Sequence, residues 1–183
     1  MKNKKIAFIA QTGVMLALLI GVQFTTRSLS QFITGSLVNL ILLVSLFVIG
    51  IASGITVAVL SPVLAFTVGM GPMFVQIVPF VAAGNAVFVI AAYFTRNYIA
   101  RKTLKDTFFT ALGLITAGAA KTLFLWAGLV KIALPLIPGI KEKQITVISA
   151  AFSWPQMVTA LIGGALAMII TPLLKLAVQN RKT

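Results

Sequence analysis

Residues 110–130, TALGLITAGAAKTLFLWAGLV, form an apolar run broken by one charge, Lys121. As a helix, a run of this length spans about 30 Å, the thickness of a bilayer's hydrocarbon core. A cation at the centre of such a helix costs on the order of 3 kcal/mol even on the lenient insertion scale. The lysine therefore needs a polar partner, and an ionisable residue at that depth marks a functional site by default.

The rest of the chain fits a membrane reading. Of 183 residues, 60% are hydrophobic and only 9% are charged, the range of membrane bundles rather than soluble domains. We expect an all-α integral membrane protein, a single domain over residues 1–183 in which six transmembrane helices form one compact bundle. The expected spans are Ile6–Phe24, Ser36–Gly50, Ile55–Met70, Phe74–Phe94, Phe108–Ile132 and Phe152–Val178. Only Ile51–Gly54 separates the second from the third. Pro62, Pro79, Pro155 and Pro172 fall in or near spans, where neighbouring helices satisfy the carbonyls that proline frees. The amino-terminal MKNKK and the apolar run behind it are read as an uncleaved first helix, because the run exceeds a signal h-region and no A-x-A site follows.

The net charge of +13 does not point to nucleic acid, because the basic residues gather between apolar segments. With the amino terminus inside, the cytoplasmic side carries Lys2, Lys4, Lys5, Arg96, Arg101, Lys102, Lys105, Lys175, Arg181 and Lys182, ten of the fifteen. Arg27, Lys131, Lys141 and Lys143 fall outside, and Lys121 stays in the membrane. Basic residues are retained on the cytoplasmic side, so both termini are expected there, in a prokaryotic cell membrane. The outer connections are then Thr25–Thr34, Gly69–Pro72 and Ala133–Ala151, two of which are able to fold back as lids.

Much chemistry is excluded. The chain has no cysteine and no histidine, and its two acids, Asp106 and Glu142, lie in polar connections. Zinc ligation, a Cys-His nucleophile and an intramembrane pair of carboxylates are all ruled out. A G-x-x-x-x-G-K-[ST] phosphate loop is missing as well. We expect no enzyme, no cofactor and no metal. A proton- or sodium-driven carrier generally needs an intramembrane carboxylate or comparable ion site, so transport energy has to come from elsewhere.

Asn85 lies eleven residues from Phe74 and Lys121 eleven residues from Ile132, placing both about 16 Å below the outer ends of successive antiparallel helices. An amide and an ammonium at one depth are able to face one cavity. Lys121 then has two readings, a structural lysine tied to freed carbonyls or a counter-charge for an anionic substrate group. Asn39, Gln76, Trp154 and Gln156 complete the candidate substrate-binding set. For Trp154 the commoner role is the interfacial aromatic belt, and for Asn85 it is interhelical hydrogen bonding.

Small residues are spaced along several spans. Ala10, Gly13, Ala17 and Gly21 share one face of the first helix, and Gly54, Ala58, Ser61, Ala65 and Gly69 one face of the third. Gly113, Ala117, Lys121 and Gly128 do so in the fifth, and Ala160 and Gly164 in the last. Such stripes usually mark packing within a chain. The first is singled out as a partner-docking face because it opens the chain beside a basic end.

In IAQTGVMLALLIG, TGSLVNLILLVSLFVIGIASGITVAVLSPVLAFTVGMGP, FVAAGNAVFVIAAY and SWPQMVTALIGGALA, the chain resembles the substrate-binding S component of an energy-coupling factor (ECF) transporter over nearly its whole length. The resemblance implies capture of a vitamin-like molecule from the outer side, capped by outer loops and contacted mostly by helices four to six. It also implies docking on a membrane coupling subunit driven by two ATPases, with toppling in the bilayer to release cargo inside. The family's docking motif is Ala-x-x-x-Ala on the first helix. Here the nearest match is Gly13-x-x-x-Ala17, with Ala10 before it and Val14 where an alanine would follow Ala10. The alternative reading is a stand-alone facilitator or secondary carrier.

Overall fold

Thr103 starts the helix that carries Lys121. Its Oγ1 accepts the Asp106 backbone N–H at 3.1 Å and donates to the Asp106 carboxylate. The cap thereby satisfies an orphan donor and sets a negative charge at the positive end of the helix dipole. The computed structural model describes residues 2–97, 99 and 103–179. Seven α-helices follow in order: α1 (Lys2–Thr26), α2 (Gln31–Val44), α3 (Ile51–Thr67), α4 (Val78–Tyr93), α5 (Leu104–Phe124), α6 (Glu142–Ala151) and α7 (Trp154–Gln179). Wider π-type turns extend α2 over Ser45–Ile49 and α5 over Leu125–Ala133. Among the described residues every regular element is helical.

Five helical stretches are long and apolar enough to cross a membrane, and Ile51–Thr67 is a shorter apolar helix. Several boundaries differ from expectation: α2 begins at Gln31 and α5 at Leu104, each earlier than expected, α3 ends earlier at Thr67 and α4 begins later at Val78. Ile51–Gly54 is the first turn of α3 rather than a linker, because Gly50, at φ 135°, reverses the chain within one residue. The Ala133–Ala151 connection contains α6, whose first turn is held by the Lys141 N–H bound to Gln144 Oε1 at 2.9 Å. Pro79 sits at the start of α4, where its missing N–H costs nothing. Arg101, Lys102, Arg181 and Lys182, assigned above to the cytoplasmic side, lie outside the described residues.

Glycine sets the closest helix approaches. A methyl group on Gly163 of α7 would lie 2.7 Å from both the Asn39 Cβ and the Ser36 carbonyl oxygen of α2, and one on Gly35 of α2 would meet Thr159 Cγ2 of α7 at 2.9 Å. Gly84 does the same for α4 against Leu125, Gly54 for α3 against Val89, and Gly118 for α5 against Ala160. Small residues let backbones approach where lipid offers no hydrophobic drive to associate. The main core, with Leu42, Leu43, Val57, Phe88, Val89 and Ala117, lies between these helices. A smaller cluster of Ile77, Leu129, Leu134 and Ile148 sits at the end where α4 begins.

α1 is attached differently. It buries Leu19 and donates from Thr12 Oγ1 to Ser53 Oγ of α3 at 2.9 Å, but exposes Ile6, Ile9, Val14 and Leu18. In a bilayer these side chains face lipid at no cost.

Gly163→Val should destabilise the folded chain by about 1–3 kcal/mol through overpacking at the α2–α7 crossing. Gly13→Ala, which has open space where the new methyl would sit, should leave stability unchanged or slightly raised. Thermal unfolding of both variants in detergent micelles checks this.

Candidate functional site

The α2–α7 crossing is also where Lys121 finds its partner. Only 4% exposed, Lys121 donates from Nζ to Asn39 Oδ1 at 2.7 Å. Asn39 in turn donates from Nδ2 to Thr159 Oγ1 at 3.2 Å, and Thr159 donates to the Gln156 carbonyl at 3.0 Å. The relay runs in one direction: ammonium to amide oxygen, amide NH2 to hydroxyl, hydroxyl to carbonyl. Each donor meets an acceptor only with Asn39 turned this way. Lys121 Nζ also lies 5.4 Å from the centroid of the fully buried Phe88 ring of α4, within range of a cation–π attraction.

Lys121 borders a cavity of about 460 Å³, within the usual size for small-molecule sites. Its walls mix apolar surface such as Val38, Pro62 and Val81 with the polar groups of Asn39, Asn85 and Gln156. No carboxylate lines it, whereas Lys121 and Arg27 both do. Three connections contribute to its rim: Arg27 and Leu29 between α1 and α2, Met70–Pro72 between α3 and α4, and Phe152 between α6 and α7. Two of these are fastened together. The Ala151 carbonyl accepts from Gln31 Nε2 at 2.6 Å and from Gln156 Nε2 at 3.0 Å.

The structure thus brings four of the six expected substrate residues, Lys121, Asn85, Asn39 and Gln156, to one cavity. The hydrogen-bonding partner of Lys121, however, is Asn39 and not Asn85, because the close α2–α7 approach carries the Asn39 amide across to α5. Gln76 is exposed in the short 3-10 turn Val75–Ile77, and Trp154 is 65% exposed with its ring 5.7 Å from that of Phe32. Neither lines the cavity. Sequence reasoning passed over Gln23, Arg27, Gln31 and Ser61, which do. Gln23 stands in the last turn of α1 and Arg27 just past its end, four positions apart in the sequence. Ser61 was read for its size, not its hydroxyl.

The four small-residue stripes divide. Gly54, Ala58, Ser61 and Ala65 are buried in α3, as are Ala117 in α5 and Ala160 and Gly164 in α7, so these serve packing within the chain, whereas Gly69 lies exposed beyond the end of α3 and Gly113 and Gly128 are half-buried. Ala10, Gly13, Ala17 and Gly21 of α1 are all exposed. Nothing lies within 4 Å of where a Cβ on Gly13 or Gly21 would project.

A family model described as "ECF transporter, substrate-specific component" matches residues 7–175. No curated protein and no solved structure matches the chain.

Asn39→Leu should destabilise the fold by on the order of 2–3 kcal/mol, because it strands a buried ammonium. Adding Lys121→Met should recover most of that loss, since an apolar pair leaves no group unsatisfied. A double-mutant cycle on thermal unfolding measures both effects.

Proposed function

The chain belongs to the substrate-specific components of ECF transporters, and on that premise we propose that it captures a small, anionic, vitamin-like molecule from the outer side of the cell membrane. It then hands the molecule to a coupling subunit driven by two ATPases. One observation supports the anionic reading above the others: a buried lysine borders the cavity, its hydrogen bond goes to a neutral amide oxygen, and among the described residues no acid lines the walls. Its remaining N–H donors suit a carboxylate, which would neutralise the charge that Asn39 only solvates. Arg27 on the rim adds a second positive charge, which draws an anion toward the cavity.

In this reading six spans cross the membrane, with α3 as the shortest, and both termini are cytoplasmic. Lys4, Lys5, Arg96, Lys105 and Lys175 then lie inside, following the retention of basic residues on that side. The cavity rim faces outward. Asn39, Asn85 and Gln156 line the substrate site with Lys121, and Trp154 and Gln76 stand at the outer surface beyond it. The exposed Ala10, Gly13, Ala17 and Gly21 face of α1 docks on the coupling subunit. Small residues there admit a partner helix at short range.

Two measurements test the proposal. Lys121→Ala should weaken binding of carboxylated vitamins, with biotin and pantothenate as probes, at least tenfold, or about 1.4 kcal/mol; unchanged affinity in a folded variant reduces the lysine to a structural role. Gentle purification from the native membrane should bring down the coupling subunit and ATPases, and Gly13→Leu should abolish that association. Uptake by the chain alone in vesicles, with no ATPase recovered, would instead establish a stand-alone carrier.

A further inference from the structure

Hydrogen-bond accounting around the cavity asks for more than an anion. Five carboxamide side chains line it: Gln23, Gln31, Asn39, Asn85 and Gln156. Three are engaged by protein, Asn39 by Lys121 and Thr159, and Gln31 and Gln156 by the Ala151 carbonyl. Asn85 is not. It is 4% exposed, and among the described residues its amide has no hydrogen-bond partner. Ser61, 1% exposed on the adjacent α3, likewise lines the cavity with a hydroxyl that has no partner among the described residues. Among the described residues only Gln23 Oε1 and, away from the cavity lining, Thr171 Oγ1 are both sealed and unpaired; the unpartnered groups of Asn85 and Ser61 open on the cavity.

Buried polar groups in native proteins are nearly always paired, and each exception calls for an explanation. Helices α3 and α4 pack directly against each other through Gly54 and Val89, so Ser61 and Asn85 approach the cavity from one side. Asn85 stands three residues before Phe88, the ring beneath Lys121 Nζ, and residues three apart share a helix face. The unpaired amide therefore lies about one helical turn, roughly 5 Å, from the level of the lysine. An amide offers donors and an acceptor together, in either of its orientations. A molecule that fills the cavity has to answer both.

We propose that the substrate carries, beside the anionic group bound by Lys121, a neutral group that both donates and accepts hydrogen bonds, an amide, ureide or hydroxyl, and that Asn85 with Ser61 reads it. This inference rests on the anionic reading given above. Alkyl carboxylates of equal length are rejected, because they bury Asn85 and Ser61 unpaired. Sites built to hydrogen-bond a substrate OH or NH discriminate strongly against analogues that lack it.

The test uses the purified full-length chain in detergent and three matched pairs of probes. N-propionylglycine, N-propionyl-β-alanine and N-propionyl-γ-aminobutyrate are each compared with the alkanoate of equal chain length, hexanoate, heptanoate and octanoate. These vary the distance between amide and carboxylate. At least one amide acid should bind tenfold or more tightly than its alkanoate, about 1.4 kcal/mol, and Asn85→Leu should remove that preference. Equal binding within every pair, failure of every amide acid to bind at millimolar concentration, or a preference that survives Asn85→Leu overturns the proposal. The wild-type ratio decides the matter even if Asn85→Leu does not fold, and Asn85→Ala repeats the variant test with a smaller change. Each acid is also compared with its neutral primary carboxamide. Equal binding there sinks the anionic reading itself, whereas carboxylates that outbind carboxamides without any amide preference sink only this inference.

Discussion

A lysine buried among helices that face lipid constrains everything around it. Its Nζ reaches the Asn39 oxygen at 2.7 Å, and that contact exists only because α2 and α7 cross with almost no side chain between them. Gly163 lies against Asn39 and Ser36, and Gly35 against Thr159. The same crossing lets Thr159 take the other end of the Asn39 amide, which fixes the oxygen toward Lys121. Three helices distant in sequence thus depend on one pair of atoms, and two glycines with no polar chemistry of their own make the pair possible. Losing one partner of such a pair is costly because the survivor stays buried and unpaired.

The cavity inherits its character from this arrangement. Asn39 satisfies part of the lysine's donor capacity without neutralising its charge, which in the proposed function leaves a cation for the substrate to meet. Around the rim, the Ala151 carbonyl gathers Gln31 and Gln156 and ties the start of α2 to the junction before α7. This contact joins parts of the rim without placing any charge in the cavity. The short helix α6 within the outer connection Ala133–Ala151 is what brings that carbonyl within reach.

α1 turns two surfaces to two tasks. Gln23 and Arg27 near its end border the cavity, whereas Ala10, Gly13, Ala17 and Gly21 look away from the bundle. The inner side of α1 packs Leu19, Met15, Leu16, Ile20 and Val22 on the core and holds the Thr12–Ser53 hydrogen bond. In the proposed function, the helix that meets the coupling subunit is therefore also one that touches the substrate site.

Much of this was legible in the sequence, and the division follows the range of the forces involved. Hydropathy is a local sum, so the all-helical class and the long apolar helices could be read from runs of residues. The family resemblance drew on the same local text, and residues 7–175 match that family. Helical spacing grouped most of the small residues into faces, though Gly69 falls beyond α3, but spacing is blind to what each face meets, and only the packed chain separated the largely buried faces of α3 and α7 from the open one of α1. Equal depth placed Asn85 and Lys121 where one cavity could hold both, and both line it, but depth does not say which amide the lysine meets. A hydrogen bond is decided by a few tenths of an ångström between groups 82 positions apart, and that distance was set by how closely two glycine-bearing helices pack.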